Sequence, residues 1–310
     1  MKHVIVTGGA GLVGAHLCKR LLDENNKVIC IDNFITSSKE NIRPHLKNPN
    51  FKLVEHDIVN LFESAISHHP LEVDEIYHLA CPKGVPNLTR LSLEMLRTCA
   101  IGTENILELA KKHKAKLIFT SSSEVYGDPL VFPQSENYAG NVDPVGIRSP
   151  YEEGKRYAES LVVSFVRKFG LDAKIVRLFN TYGPKQFDDT RVITKFMKAA
   201  RTNKPITVEG DGSQTRTFLH VDDLVNALFV VNDRGEKGGV YNAGSDVEIS
   251  ILELANIVKF VTNSKSKIKF IPRPAHDHRR RLPDLTKLKN LGWNPSIGIY
   301  EGLKKLAVTA

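Results

Sequence analysis

Residues 4–7 read Val-Ile-Val-Thr, and the chain turns at once through Gly8-Gly9-Ala10-Gly11-Leu12-Val13-Gly14 into a run with Val13, Leu17 and Leu21 at helical spacing. A short β-branched strand, a loop with glycines at Gly8, Gly11 and Gly14, and a helix opening directly from that loop form one unit. The glycines permit a tight turn and close approach of the backbone to a pyrophosphate, while the helix N-terminus presents free N–H groups and partial positive charge. A glycine triplet alone says little; between a strand and a helix it predicts a dinucleotide site.

The rest of the first 180 residues repeats that rhythm. Val4–Thr7, Lys27–Asp32, Phe51–Val54, Glu75–Leu79, Lys116–Thr120 and Ala173–Leu178 read as short strands. Helical stretches separate them, notably Leu12–Leu22, Leu91–His113 and Tyr151–Phe169. Alternation of this kind predicts an α/β fold, a doubly wound parallel sheet of the Rossmann type with right-handed crossovers. After Gly183-Pro184 the segments become mixed. Helices are expected over Val192–Arg201, Asp222–Val231, Ile249–Phe260 and Leu285–Leu291, with extended segments at Ile206–Val208 and Lys267–Ile271. The expected organisation is a dinucleotide-binding domain over 1–183, to which 220–245 return, and a smaller C-terminal substrate-binding lobe from 184–219 and 246–310.

Asp32 closes the second strand, where a carboxylate accepts hydrogen bonds from the adenosine ribose hydroxyls. It repels a 2′-phosphate, so NAD is expected rather than NADP. Asp57 and Ile58 after the third strand are placed beside the adenine, and Leu79 and Ala80 after the fourth in the cofactor channel.

Composition narrows the class. Of 310 residues 41% are hydrophobic and 25% charged, ordinary for a soluble globule with a sizeable core. No apolar run approaches the roughly 18–20 residues that span a bilayer, and the N-terminus does not read as a signal peptide. Cys18, Cys30, Cys81 and Cys99 have no metal-ligand or CxxC spacing, so no metal is expected and a reducing cytoplasm is. The formal charge is +8, but the basic residues are dispersed except for Arg279-Arg280-Arg281. That favours a basic cleft for an anionic small molecule over nucleic acid.

The chemistry gathers at Ser121-Ser122-Ser123-Glu124-Val125-Tyr126-Gly127 and at Tyr151-Glu152-Glu153-Gly154-Lys155. Tyr151 and Lys155 stand i,i+4 and share a helix face. A phenol is a poor base near neutrality unless an ammonium stabilises its anion. With Ser122 holding the substrate oxygen, the pair can take a proton from a carbinol while a dinucleotide accepts the hydride.

These residues, with Asp32-Asn33, His78-Leu79-Ala80, Arg177-Leu178-Phe179-Asn180-Thr181-Tyr182-Gly183-Pro184 and Thr215-Arg216-Thr217-Phe218, resemble the extended short-chain dehydrogenase/reductases that act on nucleotide sugars. Within that group the chain is most similar to the UDP-glucuronate decarboxylases (UDP-xylose synthases). The likeness rests on Ser123-Glu124-Val125-Tyr126-Gly127-Asp128-Pro129, Gly140-Asn141-Val142, Gly146-Ile147-Arg148-Ser149, Glu153-Gly154-Lys155-Arg156, Asp189 with Arg191-Val192, and Pro283-Asp284 before Leu291-Gly292-Trp293. In the related 4,6-dehydratases an Asp-Glu pair stands where this chain has Ser123-Glu124, so the acid that expels the 6-hydroxyl is missing. Simple 4-epimerases usually lack the glutamate.

The resemblance implies oxidation at C4 of the glucuronosyl ring, loss of carbon dioxide from the resulting β-keto acid, protonation at C5 and re-reduction. It assigns Glu124 and an arginine, Arg281 by its distance from Pro283, to the decarboxylation and protonation steps, with Arg279 and Arg280 as neighbours. It extends the cofactor set to Leu12, Val13, Asn33, Phe34, Thr36 and Thr98. It places UDP near Asn180, Arg191 and Arg216, and Arg97 and Asn105 near the sugar and the loop. It also implies a homodimer through Leu91–His113 and Tyr151–Phe169, although Ala158, Leu161, Val162 and Phe165 can instead pack on the sheet.

The chain departs from the decarboxylase pattern at Cys81-Pro82-Lys83-Gly84-Val85-Pro86-Asn87, at Cys99, at Ala139 and at Pro150. The first departure faces the sugar and keeps a UDP-sugar 4-epimerase open as an alternative. A non-catalytic NAD-binding regulator is a second alternative, which has no need of an intact Ser122/Tyr151/Lys155 set.

Overall fold

The computed structural model describes residues 1–60, 72–186, 190–272 and 280–309. The strands β1 (His3–Thr7), β2 (Lys27–Asp32), β3 (Phe51–Glu55), β4 (Glu75–His78), β5 (Lys116–Ser122), β6 (Ala173–Leu178) and β7 (Val240–Ala243) form one seven-stranded sheet. All pairings are parallel, in the spatial order β3-β2-β1-β4-β5-β6-β7. The doubly wound sheet expected from the sequence is therefore present, with its change of direction between β1 and β4, where such sheets open a crevice at their carboxyl ends.

Strand alternation explains why both faces are covered. Val4 and Val6 of β1 enter one core with Leu17 and Leu21 of α1 (Leu12–Asp23) and Leu224 and Leu228 of α6 (Val221–Arg234). Ile5 points to the other core, with Ile106 and Leu107 of α3 (Thr103–His113) and Ala158 and Val162 of α4 (Ser149–Phe169). Successive strand residues face opposite sides, and each fully buried aliphatic side chain contributes about 1.5–3 kcal/mol. A third core unites Ile193, Phe196 and Met197 of α5 (Val192–Arg201) with Ile206, Val208 and, on α7 (Ile251–Val261), Leu254 and Val258.

Two expected helices differ in detail. The stretch 91–113 is interrupted: α2 (Ser92–Arg97) passes through a π-helical turn at Thr98–Gly102 before α3 begins. Single π turns of this kind cluster at functional sites. Ile249 is not helical; Glu248–Ser250 pairs antiparallel with Thr215–Thr217, and α7 starts at Ile251 with Ser250 as its cap. Edge pairing satisfies the backbone there before the helical period takes over. The stripe Ala158, Val162 and Phe165 packs on the sheet, with Leu161 half-buried beside it. No helix among the described residues is long and apolar enough to cross a membrane.

Candidate active site

A cleft of about 580 Å³ runs over the carboxyl ends of the strands. One end is the glycine loop. Gly11 caps α1 without a side-chain hydrogen bond, and the first turn carries no acid. The orphan N–H groups of a helix start therefore face the cleft at Leu12, Val13 and Gly14, an arrangement that suits a phosphate. A Cβ on Gly14 would stand 2.3 Å from the Gly8 carbonyl oxygen and 2.6 Å from the Gly9 Cα, so the turn admits no side chain there. A Cβ on Gly11 would meet only the Gly8 oxygen at 3.3 Å and would otherwise project into the cleft, the space a pyrophosphate needs.

Asp32 is buried and organises this end. Its Oδ2 accepts from the Ala10 N–H at 2.9 Å, and Oδ1 accepts from the Phe34 N–H at 2.9 Å and the Ser37 hydroxyl at 2.7 Å. Gly8, Asn33, Thr36, Asp57 and Ile58 line the same region, and Leu79, Ala80 and Thr98 line the floor. Under the floor His78 is sandwiched between Thr7 Oγ1 at 2.8 Å and Thr103 Oγ1 at 3.1 Å. Burial drives its pKa down to about 3, so it is a neutral strut.

Beyond the floor, β5 ends at Ser122 and a 3-10 turn, Ser123–Tyr126, swings Glu124 over the cleft. Ser122 Oγ accepts the Glu124 N–H at 3.3 Å. The turn closes at Gly127, whose φ is +60°, and a Cβ there would lie 1.9 Å from the Asn141 carbonyl oxygen. Below it, Arg177 pairs with Glu159 at 2.9 and 2.7 Å and donates to the Tyr126 hydroxyl at 3.0 Å.

Tyr151 and Lys155 come from the start of α4, where Pro150 occupies the first turn without loss of a helical hydrogen bond. Lys155 Nζ is buried and donates to the Thr120 carbonyl at 2.8 Å. Burial pulls the lysine down, but the thiols of Cys81 and Cys99, the Tyr151 phenol and Glu159 outweigh it and its pKa is raised. Burial pushes Tyr151 up to about 12, against the ammonium of Lys155 and the Ser122 hydrogen bond. Lys155 thus opposes the effect of burial and is placed to stabilise the phenolate, the form that can take a proton.

Glu124 is held between two guanidinium groups. Its Oε1 accepts from Arg281 Nη1 at 2.7 Å, and its Oε2 accepts from Arg148 Nη2 in a short contact and from Arg148 Nε at 3.2 Å. Arg281 Nη1 also donates to Ser123 Oγ at 3.0 Å. Its Nη2 is buried with no hydrogen-bond partner among the described residues. Arg148 continues to Glu152 Oε1 at 3.2 Å. Burial and the Glu124 charge push Glu152 up to about 7.

The structure thus separates the neighbouring arginines. Arg281 turns inward to Glu124, whereas Arg280 pairs with Glu248 at 2.9 and 2.6 Å and lies over the Phe132 ring. Arg279 and Asp189 lie outside the described residues. At the far end Asn180, Arg191 and Arg216 line the cleft, the last two from the segments beyond Gly183.

Three expected contacts stand away from the cleft lining. Phe34 takes a left-handed φ of +58° and packs under the Lys39 ammonium. Arg97 is exposed on the outer side of α2. Asn105 donates to the Ile58 and Val59 carbonyls at 2.8 and 3.4 Å, so it braces the loop rather than a ligand. Sequence reasoning assigned no role to Arg148. Its i,i+4 spacing to Glu152 was a usable signal for one of its two partners, whereas nothing local marks its contact with Glu124.

The chain matches the model of the NAD dependent epimerase/dehydratase family over residues 4–244. It is similar to UDP-glucuronic acid decarboxylase 4 of Arabidopsis thaliana, 46% identical over 302 residues that make up 97% of this chain and 66% of that protein. UDP-glucuronic acid decarboxylase 5 of the same plant is 42% identical, with 97% of this chain and 86% of that one covered. Among solved structures it is similar to the Thermotoga maritima UDP-glucose 4-epimerase with UDP-glucose, at a TM-score of 0.89 and 29% identity over 98% of this chain and 97% of that one. The dTDP-glucose 4,6-dehydratase of Bacillus anthracis in complex with NAD gives a TM-score of 0.87 and 28% identity, covering 99% and 96%. With its sequence matched across most of its length and its sheet shared with these enzymes, the chain belongs to the NAD dependent epimerase/dehydratase family.

Proposed function

We propose that this protein is an NAD-dependent decarboxylase that converts UDP-glucuronate to UDP-xylose. The observation that carries this reading is the Glu124–Arg281 pair at 2.7 Å, with Arg281 Nη2 left without a partner among the described residues at a cleft that Ser122 and Tyr151 also line. A buried guanidinium N–H without an acceptor costs free energy, and a sugar carboxylate supplies the acceptor in a geometry guanidinium suits. The decarboxylase relatives support the same choice.

NAD fits the glycine loop, where Gly11, Leu12, Val13 and Gly14 would hold its pyrophosphate and Asp32 its adenosine ribose. When bound, NAD supplies a hydride acceptor and donor for C4 of the sugar. The residues do the rest. Tyr151 takes the C4 hydroxyl proton as its anion is stabilised by Lys155, and Ser122 holds the same oxygen. The resulting ketone is β to the C5 carboxylate, and carbon dioxide leaves as electrons pass into an enolate held by Ser122 and Tyr151. Arg281 orients the carboxylate before it is lost, and Glu124, with Arg281, governs protonation at C5. Arg191 and Arg216 bind the nucleotide diphosphate beside Asn180, as part of a substrate-binding lobe made by 184–219 and 246–310.

We place the protein in a reducing cytoplasm, in keeping with its free cysteines. A homodimer through α2, the π turn and α4 is supported by Leu93, Ile101 and Tyr157, which leave 60%, 45% and 53% of their surface exposed on those elements. The test is incubation with NAD and UDP-glucuronate labelled at the carboxylate. Release of labelled carbon dioxide with a UDP-pentose is expected. Retention of the carboxylate with inverted C4 selects an epimerase, and no turnover of any UDP-hexuronate or UDP-hexose refutes an enzyme.

A further inference from the structure

The fold brings Cys81 and Cys99 together. Their sulfurs stand 3.6 Å apart although the residues are 18 positions apart in sequence. Cys81 is partly buried and lines the cleft directly after the floor residues Leu79 and Ala80; Cys99 is buried in the π turn behind it. The Lys155 ammonium bears on both thiols. The mechanism uses neither.

We infer that Cys81 and Cys99 form a reversible oxidation site in the catalytic cleft, with Cys81 attacking hydrogen peroxide that enters by the substrate route and Cys99 resolving the product to a disulfide. As regulation of that site it rests on the decarboxylase reading; the thiol chemistry itself does not. The Cys81 thiolate attacks one peroxide oxygen, the O–O bond breaks, and a sulfenic acid and hydroxide result. Cys99 then attacks the sulfenic sulfur, the S–O bond breaks, and the oxygen leaves as water with the proton released from Cys99. Two thiols lose two electrons in all, and the peroxide becomes two waters.

Position sets that division of labour: Cys81 lines the cleft, and Cys99 lies buried behind it. The Cys99 hydrogen bond lowers Cys81 to about 7 against the effect of burial, with Lys155 and Lys83 adding to it. Cys99 is pushed well up, first by its contact with Cys81 and then by burial. The other close pair, Cys18 and Cys30, is fully buried in the core behind α1, and Cys30 is pushed up by its hydrogen bond to Cys18 and by burial. It provides an inert internal control.

Closing the disulfide brings the sulfurs in by roughly 1.5 Å. Little can absorb that movement. Cys99 packs on Gly154, between Tyr151 and Lys155, where even a Cβ would stand 3.3 Å from its sulfur. On the other side the Ala80 backbone abuts Gly8, where a Cβ would stand 2.8 Å from its nitrogen. Oxidation therefore displaces either the catalytic helix or the cofactor channel, and a misplacement of about 1 Å can cost on the order of 100-fold in rate.

The experiment exposes the full-length protein to hydrogen peroxide near neutral pH, alkylates it in denaturant and maps the peptides, with turnover followed in parallel. The expected result is a Cys81–Cys99 linked peptide with Cys18 and Cys30 still alkylated, a loss of turnover of about tenfold or more, recovery with dithiothreitol, and protection by NAD with UDP-glucuronate. Cys99→Ser should retain turnover and accumulate a dimedone-reactive Cys81. Alkylation of Cys81 and Cys99 at the same rate as the control pair after peroxide overturns the inference, as does a complete cross-link with undiminished turnover. If the protein turns over no UDP-hexuronate at all, peptide mapping still decides the thiol chemistry, so that failure is distinguishable from failure of the oxidation site.

Discussion

Replacing Glu124 with Gln isolates the electrostatic device at the centre of the cleft. The side chain keeps its volume and one carbonyl acceptor, which can still receive the Arg281 N–H. The other arm becomes an NH2 group facing the donors of Arg148, so that contact is lost and its charge compensation with it. Removing one partner of a buried ion pair costs about 3–5 kcal/mol. Glu124 and Arg148 retain 16% and 24% of their side-chain exposure, while Arg281 retains 4%, which puts the loss at the lower end. Glu152 offsets part of it: burial and then the Glu124 charge hold it at about 7, so without that charge it ionises more readily and pairs more strongly with Arg148. The net expectation is about 2 kcal/mol, a fall in Tm of roughly 3 °C for a chain of this size. The penalty should also shrink as pH rises from about 5 to 7, because over that range wild type loses the stability tied to the Glu152 proton faster than the variant does. Thermal and urea unfolding of Glu124→Gln, Arg281→Gln and the double variant, read at both pH values, provide the assay. The double variant should cost about 1–3 kcal/mol less than the sum of the singles. Strict additivity, or a single-variant penalty below about 0.5 kcal/mol, would refute the coupled clamp.

Tyr151→Phe should lower turnover about 10²–10⁴-fold while NAD binding, followed by fluorescence, stays near wild type. Gly14→Ala places a methyl group 2.3 Å from the Gly8 carbonyl oxygen, so it should weaken NAD binding and lower stability by about 1–3 kcal/mol, both measurable by calorimetry. Glu152 has a folded value of about 7 against an ordinary 4.5, so the folded protein holds its proton more tightly than the unfolded chain. Its penalty is absent below the lower value and complete above the higher one, and stability falls as pH rises between them. Glu152→Gln should flatten that slope in a series of urea titrations; an unchanged slope would assign it to other groups.

Much of the architecture was legible because it is local. Valine and isoleucine runs bounded by turns declared the strands, and the three glycines before α1 declared the loop, since both depend on neighbours within a few positions. The i,i+4 spacing of Tyr151 and Lys155 put them on one face before any tertiary contact was known. What broke the local pattern was less readable. The π turn at Thr98–Gly102 interrupts a stretch whose apolar spacing reads as one helix, and edge pairing with Thr215–Thr217 claims Ile249 from the helix that follows.

The sequence by itself determined the parallel sheet and the dinucleotide loop and named the candidate reacting groups, because propensity, capping and periodicity act over a turn or two. Only the tertiary structure decided which arginine meets Glu124, across 157 positions, and that Arg148 closes the clamp from the other side. It also decided that Phe34, Arg97 and Asn105 stand outside the cleft lining, and that Cys81 and Cys99 meet beside Lys155. Such contacts depend on how β5, α4 and the segment before Pro283 are packed against one another. No residue type or spacing within a single segment encodes that distance.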